Sequence, residues 1–306
     1  IKFAGHFHGW HDSLILGSDP PHDVTYTMPG VTDGVASDII FVPPNDLAAV
    51  EIAIDKHDPA CILHEGNGTH WGIVPARTEF MQGLRELTER KNVIFLLDEV
   101  ITGFRVHPNC FQGHCDIVPD MTALAKVLAG GLPGGCLVGR ADLMEALAFD
   151  NPHGQKMKHP GTYNANPLSA AAGVAALDIV ATAEPSNKAN ESAAKLRQSL
   201  NQIFAEKSSR LVAYGDFSAI KIHADFEGPH PTTDDEIPFG GDWRRLDIKA
   251  DGRLGHAFRC ALLLGGVDWF GWGGSTSLAH SDADISQTTQ AFSNAIDMLR
   301  EDRFNV

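Results

Sequence analysis

Residues 93–105 read VIFLLDEVITGFR, and residues 119–126 read PDMTALAK. In each stretch a short apolar run ends in a charged residue, Asp98 in the first and Lys126 in the second. Short apolar runs that alternate with helical patterns are typical of strands in a parallel sheet covered on both faces. Because ligands of open α/β folds bind beyond the carboxyl ends of such strands, the pattern predicts one site that contains Asp98 and Lys126.

The residue types at this site suit an aldehyde cofactor with a basic ring nitrogen. A lysine forms a Schiff base with the aldehyde and later acts as a base, while a carboxylate stabilises the proton on the ring nitrogen. Partial burial is expected to lower the pKa of Lys126, which favours the neutral amine that both roles need. Residues 130–135, GGLPGG, are expected to let the backbone pass close to such a cofactor.

The same alternation of apolar runs and amphipathic helices continues through the first half of the chain. It predicts strands at residues 38–42, 60–63 and 92–97 and helices at 46–56 and 76–91. We therefore expect an α/β fold with a mostly parallel sheet in a large domain, residues 1–175. Residues 176–306 combine helical and strand-like runs, which indicates a smaller α+β C-terminal domain.

Three segments resemble one enzyme family in their order and spacing, namely residues 98–105, 119–133 and 161–167. They are similar to the class III pyridoxal-phosphate (PLP) aminotransferases, and most similar to the glutamate-1-semialdehyde 2,1-aminomutase branch. With the segment Phe7-His8-Gly9, the resemblance extends over essentially the whole chain. It implies the type I fold of PLP-dependent transferases and PLP as the cofactor. It also implies transfer of an amino group from a small amino acid or amine to a keto or aldehyde acceptor, or aminomutase isomerisation as the alternative.

The resemblance also assigns the residues around the PLP ring. It implies that Lys126 forms the Schiff base and that Asp98 pairs with the pyridine nitrogen. Phe7 and Val100 are expected to cover opposite faces of the ring and to fix its plane.

Further residues follow from the same resemblance. His8 and Gly9 complete the Phe-His-Gly segment beside the cofactor. Thr162 is similar to the threonine that reaches the cofactor phosphate of the neighbouring subunit, which implies a homodimer. Glu65 corresponds to the glutamate of a Glu-Pro motif near the cofactor, although Gly66 replaces the proline here.

Family members carry a Gly- and Ser/Thr-rich turn before the Phe-His-Gly segment, where a helix N-terminus binds the cofactor phosphate. This chain begins at Ile1, in what reads as a core strand. We therefore expect a fragment that lacks on the order of a hundred N-terminal residues, judged from ordinary domain size.

Two functions of other classes remain open from the residues alone. The chain could be a non-catalytic remnant that keeps the fold as a dimer or scaffold. The second is a metal-dependent hydrolase built on His6, His8 and His11, which resemble a metallo-hydrolase motif. Trp10 stands where that motif needs aspartate, so we expect no metal site. Arg105 fits a substrate carboxylate and a structural ion pair equally well.

Composition excludes several partners. The 306 residues carry a formal net charge of −15, which repels nucleic acids and anionic membrane surfaces. No apolar run is long enough to predict a membrane span. The five cysteines are scattered and odd in number, which indicates reduced thiols in a cytoplasmic protein rather than a disulfide framework.

Overall fold

The computed structural model of the chain describes residues 1–20, 28–151, 154, 156–248 and 251–306. Its contacts divide the chain into two compact units. The large unit holds Ile1–Ser18, the stretch that ends at Gly68, and Ala76–Ala183. The small unit includes Thr69–Pro75 and Glu184–Val306.

Strands and helices alternate along the large unit, and further strands and helices follow in the small unit. The strands are β1 (Lys2–Phe3), β2 (Phe41–Val42), β3 (Cys61–Glu65), β4 (Ile94–Glu99), β5 (Met121–Ala125), β6 (Gly135–Gly139), β7 (Val212–Tyr214), β8 (Ala219–His223) and β9 (Gly273–Ser275).

The helices are α1 (Asp12–Ile15), α2 (Asp33–Ala36), α3 (Leu47–His57), α4 (Thr69–Gly72), α5 (Thr78–Lys91), α6 (Cys110–His114), α7 (Ala141–Met144), α8 (Pro167–Val180), α9 (Glu184–Glu206), α10 (Trp243–Leu246), α11 (Gly252–Leu264) and α12 (Asp282–Glu301). Shorter 3₁₀ turns occupy Lys126–Ala129, Glu145–Leu147 and Pro238–Gly241.

The large unit is built on a six-stranded sheet in the order β2-β1-β3-β4-β5-β6. The first five strands run parallel, and β6 pairs antiparallel with β5. The prediction of a mostly parallel sheet is thus confirmed. Each of the three predicted strands overlaps an observed one, and the helices predicted at 46–56 and 76–91 correspond to α3 and α5.

The register of the central strands brings the predicted site residues to one edge. Glu65 at the end of β3 pairs with Asp98 near the end of β4, and Asp98 pairs in turn with Ala123 of β5. Lys126 follows β5 directly. We call the carboxyl ends of β3, β4 and β5, with Glu65, Asp98 and Lys126, the carboxyl edge.

The glycine run at 130–135 has a packing role that the sequence did not indicate. Gly130 has a left-handed φ of 60°, and a Cβ there would overlap the backbone oxygen of Ala172 in α8. After this turn the chain forms β6, an antiparallel strand that the apolar pattern did not predict because its apolar run, Cys-Leu-Val, is only three residues long. Close helix packing therefore accounts for Gly130.

The small unit contains a three-stranded antiparallel sheet in the order β7-β8-β9. Its apolar core joins this sheet to α9, α11 and α12, and the aromatic members are Phe204, Phe258, Trp269 and Phe292. The segment Thr69–Pro75 is held by Tyr214, whose hydroxyl donates to Ile73 O at 3.0 Å. These elements agree with the expected α+β character of the C-terminal part.

The domain boundary predicted after residue 175 falls inside α8. The contacts keep all of α8 in the large unit, which extends to Ala183. The exact division into domains stays a prediction. Within the described residues no single helix is long and apolar enough to cross a membrane, although the bent pair α8 and α9 passes the same test of length and composition.

Candidate active site

Asp98 lies near the end of β4 with its carboxylate held from two sides. Its Oδ2 lies 2.8 Å from Nδ1 of His8, and its Oδ1 accepts a hydrogen bond from the backbone N–H of Val100 at 3.0 Å. The side chains of Asp98 and His8 are 13% and 2% exposed. Each carboxylate oxygen can accept a further hydrogen bond, so the carboxylate is fixed in place but still able to bind another donor.

Glu65 holds the segment that carries Phe7. Its Oε1 accepts a hydrogen bond from the backbone N–H of Phe7 at 2.5 Å, and its own N–H donates to Nδ1 of His6 at 3.0 Å. The Phe7 side chain is 44% exposed, so part of its aromatic surface can contact a ligand.

Gly66 explains how the chain tolerates the loss of the family proline. Its backbone N–H donates to the carbonyl oxygen of Asp98 at 2.8 Å, a bond that proline cannot make. A Cβ at this position would overlap Oγ1 of Thr102. The replacement therefore fits this backbone and joins the end of β3 to the end of β4.

Lys126 starts the 3₁₀ turn after β5 with a left-handed φ of 50°. Its side chain reaches solvent, yet the loss of hydration around the amine lowers its pKa. The negative charges of Asp98 and Glu65 oppose this shift, and the positive charge of Arg105 adds to it. The structure thus brings Lys126, Asp98 and Glu65 into one electrostatic environment at the carboxyl edge.

The sequence left two roles open for Arg105, binding of a substrate carboxylate and a structural ion pair. The structure shows one contact that holds its side chain. Its Nε donates to the carbonyl oxygen of Ile101 at 3.2 Å, and burial lowers its pKa. This bond orients the guanidinium within the loop after β4. Its positive charge therefore acts on Lys126 from a fixed position.

Glu99 is a functional candidate that the sequence reasoning missed. It is fully buried and accepts hydrogen bonds from Phe111 N and Gln112 N, both at 2.8 Å, and from Thr102 Oγ1 at 2.7 Å. Burial raises the pKa of its carboxyl group. These bonds tie the loop that carries Val100 to the start of α6. Strand alternation was the available signal, because it turns residues 98 and 99 to opposite faces of the sheet.

The remaining predicted residues differ in how the structure places them. Val100 is half-buried directly after β4, and Gly9 has a φ of 99°, a conformation that favours glycine. Thr162 is exposed in a turn, and within the described ranges it makes no hydrogen bond to the other predicted site residues. Its predicted contact with the cofactor of a neighbouring subunit stays a prediction.

The three histidines of the metal-like motif have separate contacts. His6 accepts from Glu65 N, His8 contacts Asp98, and His11 accepts from Ser13 N at 3.3 Å. Among the residues that the structure describes, no group of three His, Cys, Asp or Glu side chains is placed to hold a metal ion.

Comparison with known families bears directly on this site. The model of the family described as aminotransferase class III matches residues 1–229, which include every predicted site residue. The chain belongs to the class III aminotransferase family. The resemblance stated from the three sequence segments is therefore confirmed.

Individual class III aminotransferases agree with this assignment. The glutamate-1-semialdehyde 2,1-aminomutase 2 of Exiguobacterium sibiricum is 44% identical over 181 residues, which are 58% of this chain and 41% of that protein. An omega-transaminase from Sphaerobacter thermophilus superposes with a TM-score of 0.83 at 26% identity, over 98% of this chain and 68% of that one. A transaminase solved with PLP bound gives a TM-score of 0.82 at 24% identity, over 99% and 68%.

These comparisons show the fold of the class III aminotransferases across almost the whole chain. The chain nevertheless spans only about two fifths of the length of the curated relative that it matches.

Proposed function

We propose that the protein is a PLP-dependent aminotransferase that acts on a small amino acid or amine, with Lys126 as the amine that holds the cofactor. One observation carries this proposal. The aligned ends of β3, β4 and β5 place Asp98 and Glu65 in the electrostatic environment of a lysine whose pKa is lowered by desolvation. That combination suits a lysine that must be neutral to react with an aldehyde.

The residues at the carboxyl edge fit PLP. Asp98 is fixed by His8 and Val100 and keeps the capacity to accept a hydrogen bond from a protonated ring nitrogen. Phe7 presents an exposed aromatic side chain, and Val100 supplies an apolar one. When bound, PLP supplies an aldehyde that condenses with amines and a ring that withdraws electrons from the neighbouring carbon.

In the mechanism that follows, each residue has a separate task. Asp98 would hold the proton on the ring nitrogen of bound PLP. Lys126 would hold the cofactor through its amine and, as a base, would take a proton from the carbon that bears the donor amine. Phe7 and Val100 hold the ring plane, so that the bond to be broken stays aligned. Glu65 positions Phe7 through the Phe7 backbone.

The first experiment is an absorption spectrum of the purified chain with added PLP, before and after borohydride reduction, with Lys126→Ala as the matched variant. We expect a visible band that reduction converts into a stable adduct on Lys126, and no such adduct in the variant. If reduction formed an adduct on other lysines and none on Lys126, the assignment would be contradicted. Incubation with amine donors and keto-acid acceptors then tests for transfer of the amino group.

Aminomutase activity is a second candidate, and the 44% identity to a glutamate-1-semialdehyde 2,1-aminomutase favours it. Such an enzyme returns the amine to a neighbouring carbon of the same molecule, so no keto product leaves the site. The two reactions use the same residues of this chain. Release of a keto product in proportion to the donor consumed supports transamination, and an isomerised product without keto-acid release supports the aminomutase.

The proposal extends to compartment and assembly. All five cysteines are free thiols, which fits the reducing cytoplasm. Leu168, Val174 and Ile179 are exposed apolar residues on α8, which fits burial of this helix in a homodimer. In such a dimer Thr162 would contact the partner's cofactor phosphate. Sedimentation equilibrium tests the dimer, and weaker PLP binding by Thr162→Val tests the contact.

A further inference from the structure

Three consecutive residues, His6, Phe7 and His8, are each bonded to the carboxyl edge. Nδ1 of His6 accepts a hydrogen bond from the backbone N–H of Glu65 at 3.0 Å, and the backbone N–H of Phe7 donates to Oε1 of the same glutamate at 2.5 Å. Nδ1 of His8 lies 2.8 Å from Oδ2 of Asp98. The proposed function has a task for each of these residues except His6.

The bond between His6 and Glu65 takes the place of a bond in the sheet. In the parallel pairing of β1 with β3, Leu63 N donates to Ile1 O. The next bond of a regular ladder would join Glu65 N to Phe3 O, two residues further along each strand. The chain turns away after β1, however, and Phe3 O accepts from the backbone N–H of His6. The His6 side chain supplies the acceptor that Glu65 N would otherwise lack.

The His6 ring is held by the packing around it. It is fully buried, and its centroid lies 4.5 Å from that of His64 and 5.3 Å from that of Phe3. Because a backbone N–H can only donate, Nδ1 of His6 must accept, so the ring is neutral with its proton on Nε2. His6 therefore offers Glu65 N an acceptor whose position is fixed by its neighbours.

Two bonds of opposite direction thus join Glu65 to the segment that carries Phe7. One uses the backbone N–H of Glu65 and the other uses its carboxylate. A shift of this segment along β3 would break both bonds together. The bond to His6 therefore stabilises the arrangement in which the Glu65 carboxylate meets Phe7 N.

We infer that His6 is a positioning residue of the candidate active site, which holds Glu65 and Phe7 in the arrangement that the bound PLP ring requires. This inference rests on the proposed function, in which Phe7 covers one face of the ring. His6 is buried and acts through Glu65 rather than on PLP itself. Its loss should change the orientation of the bound ring, and with it PLP affinity and kcat, since kcat depends on the alignment of the bond to be broken.

The test compares His6→Asn with His6→Leu, two side chains of the same size and branching. Both remove the ring, but the asparagine Oδ1 lies as many bonds from Cα as the histidine Nδ1 and can accept from Glu65 N. We expect His6→Leu to bind PLP about tenfold more weakly than His6→Asn, because one hydrogen bond is lost and a buried N–H is left unpaired.

The orientation of the ring is measured in the same two variants by the visible circular dichroism of bound PLP. At saturating PLP, His6→Leu should show a weaker dichroic band and a kcat about tenfold lower than His6→Asn. Equal PLP affinity, dichroism and kcat in the two variants would overturn the inference.

His6→Phe keeps the ring contacts and removes only the acceptor, so it decides the question if His6→Leu does not fold. Its PLP affinity should be about tenfold below that of the wild type, with a weaker dichroic band. Wild-type affinity and dichroism in His6→Phe would show that Glu65 and Phe7 are held without His6.

His223→Phe is the matched control in the small unit. His223 is also buried, its Nε2 lies 2.8 Å from Arg245 O, and its ring packs edge-on against Phe239. This variant should lower the unfolding temperature, because a bond to a backbone group is lost, but leave PLP affinity and dichroism unchanged. An equal loss of PLP affinity in His223→Phe and His6→Phe would overturn the positioning role.

The wild type separates this inference from the proposed function. Failure of the wild type to bind PLP would overturn the proposed function, and the inference with it. Binding of PLP by the wild type and His6→Phe with the same affinity, dichroism and kcat would overturn the inference alone.

Discussion

The carboxyl edge of the large unit and the core of the small unit are built on different principles. At the edge, Glu65, Asp98 and Lys126 share one environment, and Lys126 has a backbone conformation that is unfavourable for a residue with a side chain. In the small unit, the core is apolar, and its buried arginine, Arg197, is paired with Asp234 and bound to the backbone oxygens of Phe217 and Ala219.

This difference indicates that the charged groups of the carboxyl edge do not serve the stability of the fold. The small-unit core buries mainly apolar surface, although among the described residues Trp269 Nε1 has no hydrogen-bond partner. The carboxyl edge instead gathers two carboxylates and a lysine, none of which improves packing. Departures from low-energy structure concentrate at functional sites, so substitutions in the two regions should affect different properties.

The largest effect is expected from Phe292→Ala in the small unit. Phe292 is fully buried, with its ring centroid 5.0 Å from that of Trp269 and 5.3 Å from that of Phe258. Removing it leaves a cavity and should lower the free energy of unfolding by about 3–5 kcal/mol, as measured by urea denaturation. Phe270→Ala is the control, because Phe270 is exposed and its loss should change stability by less than about 0.5 kcal/mol. Equal losses in both variants would remove the contrast.

Asp98→Asn should have the next largest effect, on turnover rather than on stability. The amide keeps the shape of the side chain but lacks the charge that holds the ring-nitrogen proton. We expect PLP still to attach to Lys126 while kcat falls roughly 10²–10³-fold, the usual loss for one preorganised electrostatic group. Asp142→Asn serves as the control, because Asp142 is an exposed partner of Arg140. A wild-type kcat in Asp98→Asn would exclude the proposed role of this carboxylate.

A third prediction concerns the acid sensitivity of the large unit. Burial lowers the pKa of His64 to about 3, while in the unfolded chain its pKa is near 6.5. The unfolded state therefore binds the proton first, and stability that is complete above pH 6.5 is lost as the pH falls toward 3. At pH 5 this single group should cost about 2 kcal/mol of stability relative to pH 7.5.

The variant His64→Phe removes this titration and keeps an aromatic ring beside Phe3 and Phe80. Urea denaturation at pH 7.5 and pH 5 should show a smaller difference in the variant than in the wild type. His57→Gln, at an exposed position on α3, should retain the wild-type difference. Identical pH dependence in His64→Phe and the wild type would show that the acid sensitivity has another origin.

The smallest effect is expected from Glu65→Gln. The glutamine oxygen can still accept from Phe7 N, so only the charge at the acceptor is lost. We expect PLP affinity to fall by less than about tenfold and the unfolding temperature to stay close to that of the wild type. Glu65→Ala, which removes the acceptor as well, should bind PLP more weakly than Glu65→Gln. The opposite order would mean that Glu65 does not act through Phe7.

Much of the large unit could be predicted from local patterns. Apolar runs of strand length with helices between them predicted the parallel sheet. In the structure Asp46 accepts the N–H of Ala49 and so caps the start of α3, which is a local contact of the same kind. The strands β6 and β9 could not be predicted in this way. The apolar run of β6 is only three residues long, and β9 is Gly-Gly-Ser, so pairing with the neighbouring strands defines both.

The candidate site divides in the same way. The sequence by itself determined which residue types the candidate site contains, because Asp98 and Lys126 and their positions after apolar runs are local properties that a single chain displays. Only the tertiary structure decided which groups hold them. The bond between His8 and Asp98 joins residues 90 positions apart, and that between Phe7 and Glu65 joins residues 58 apart. Glu99 has the same residue type whether or not its carboxylate is satisfied. Its contacts with Phe111, Gln112 and Thr102 form only when folding has removed water and brought these groups together.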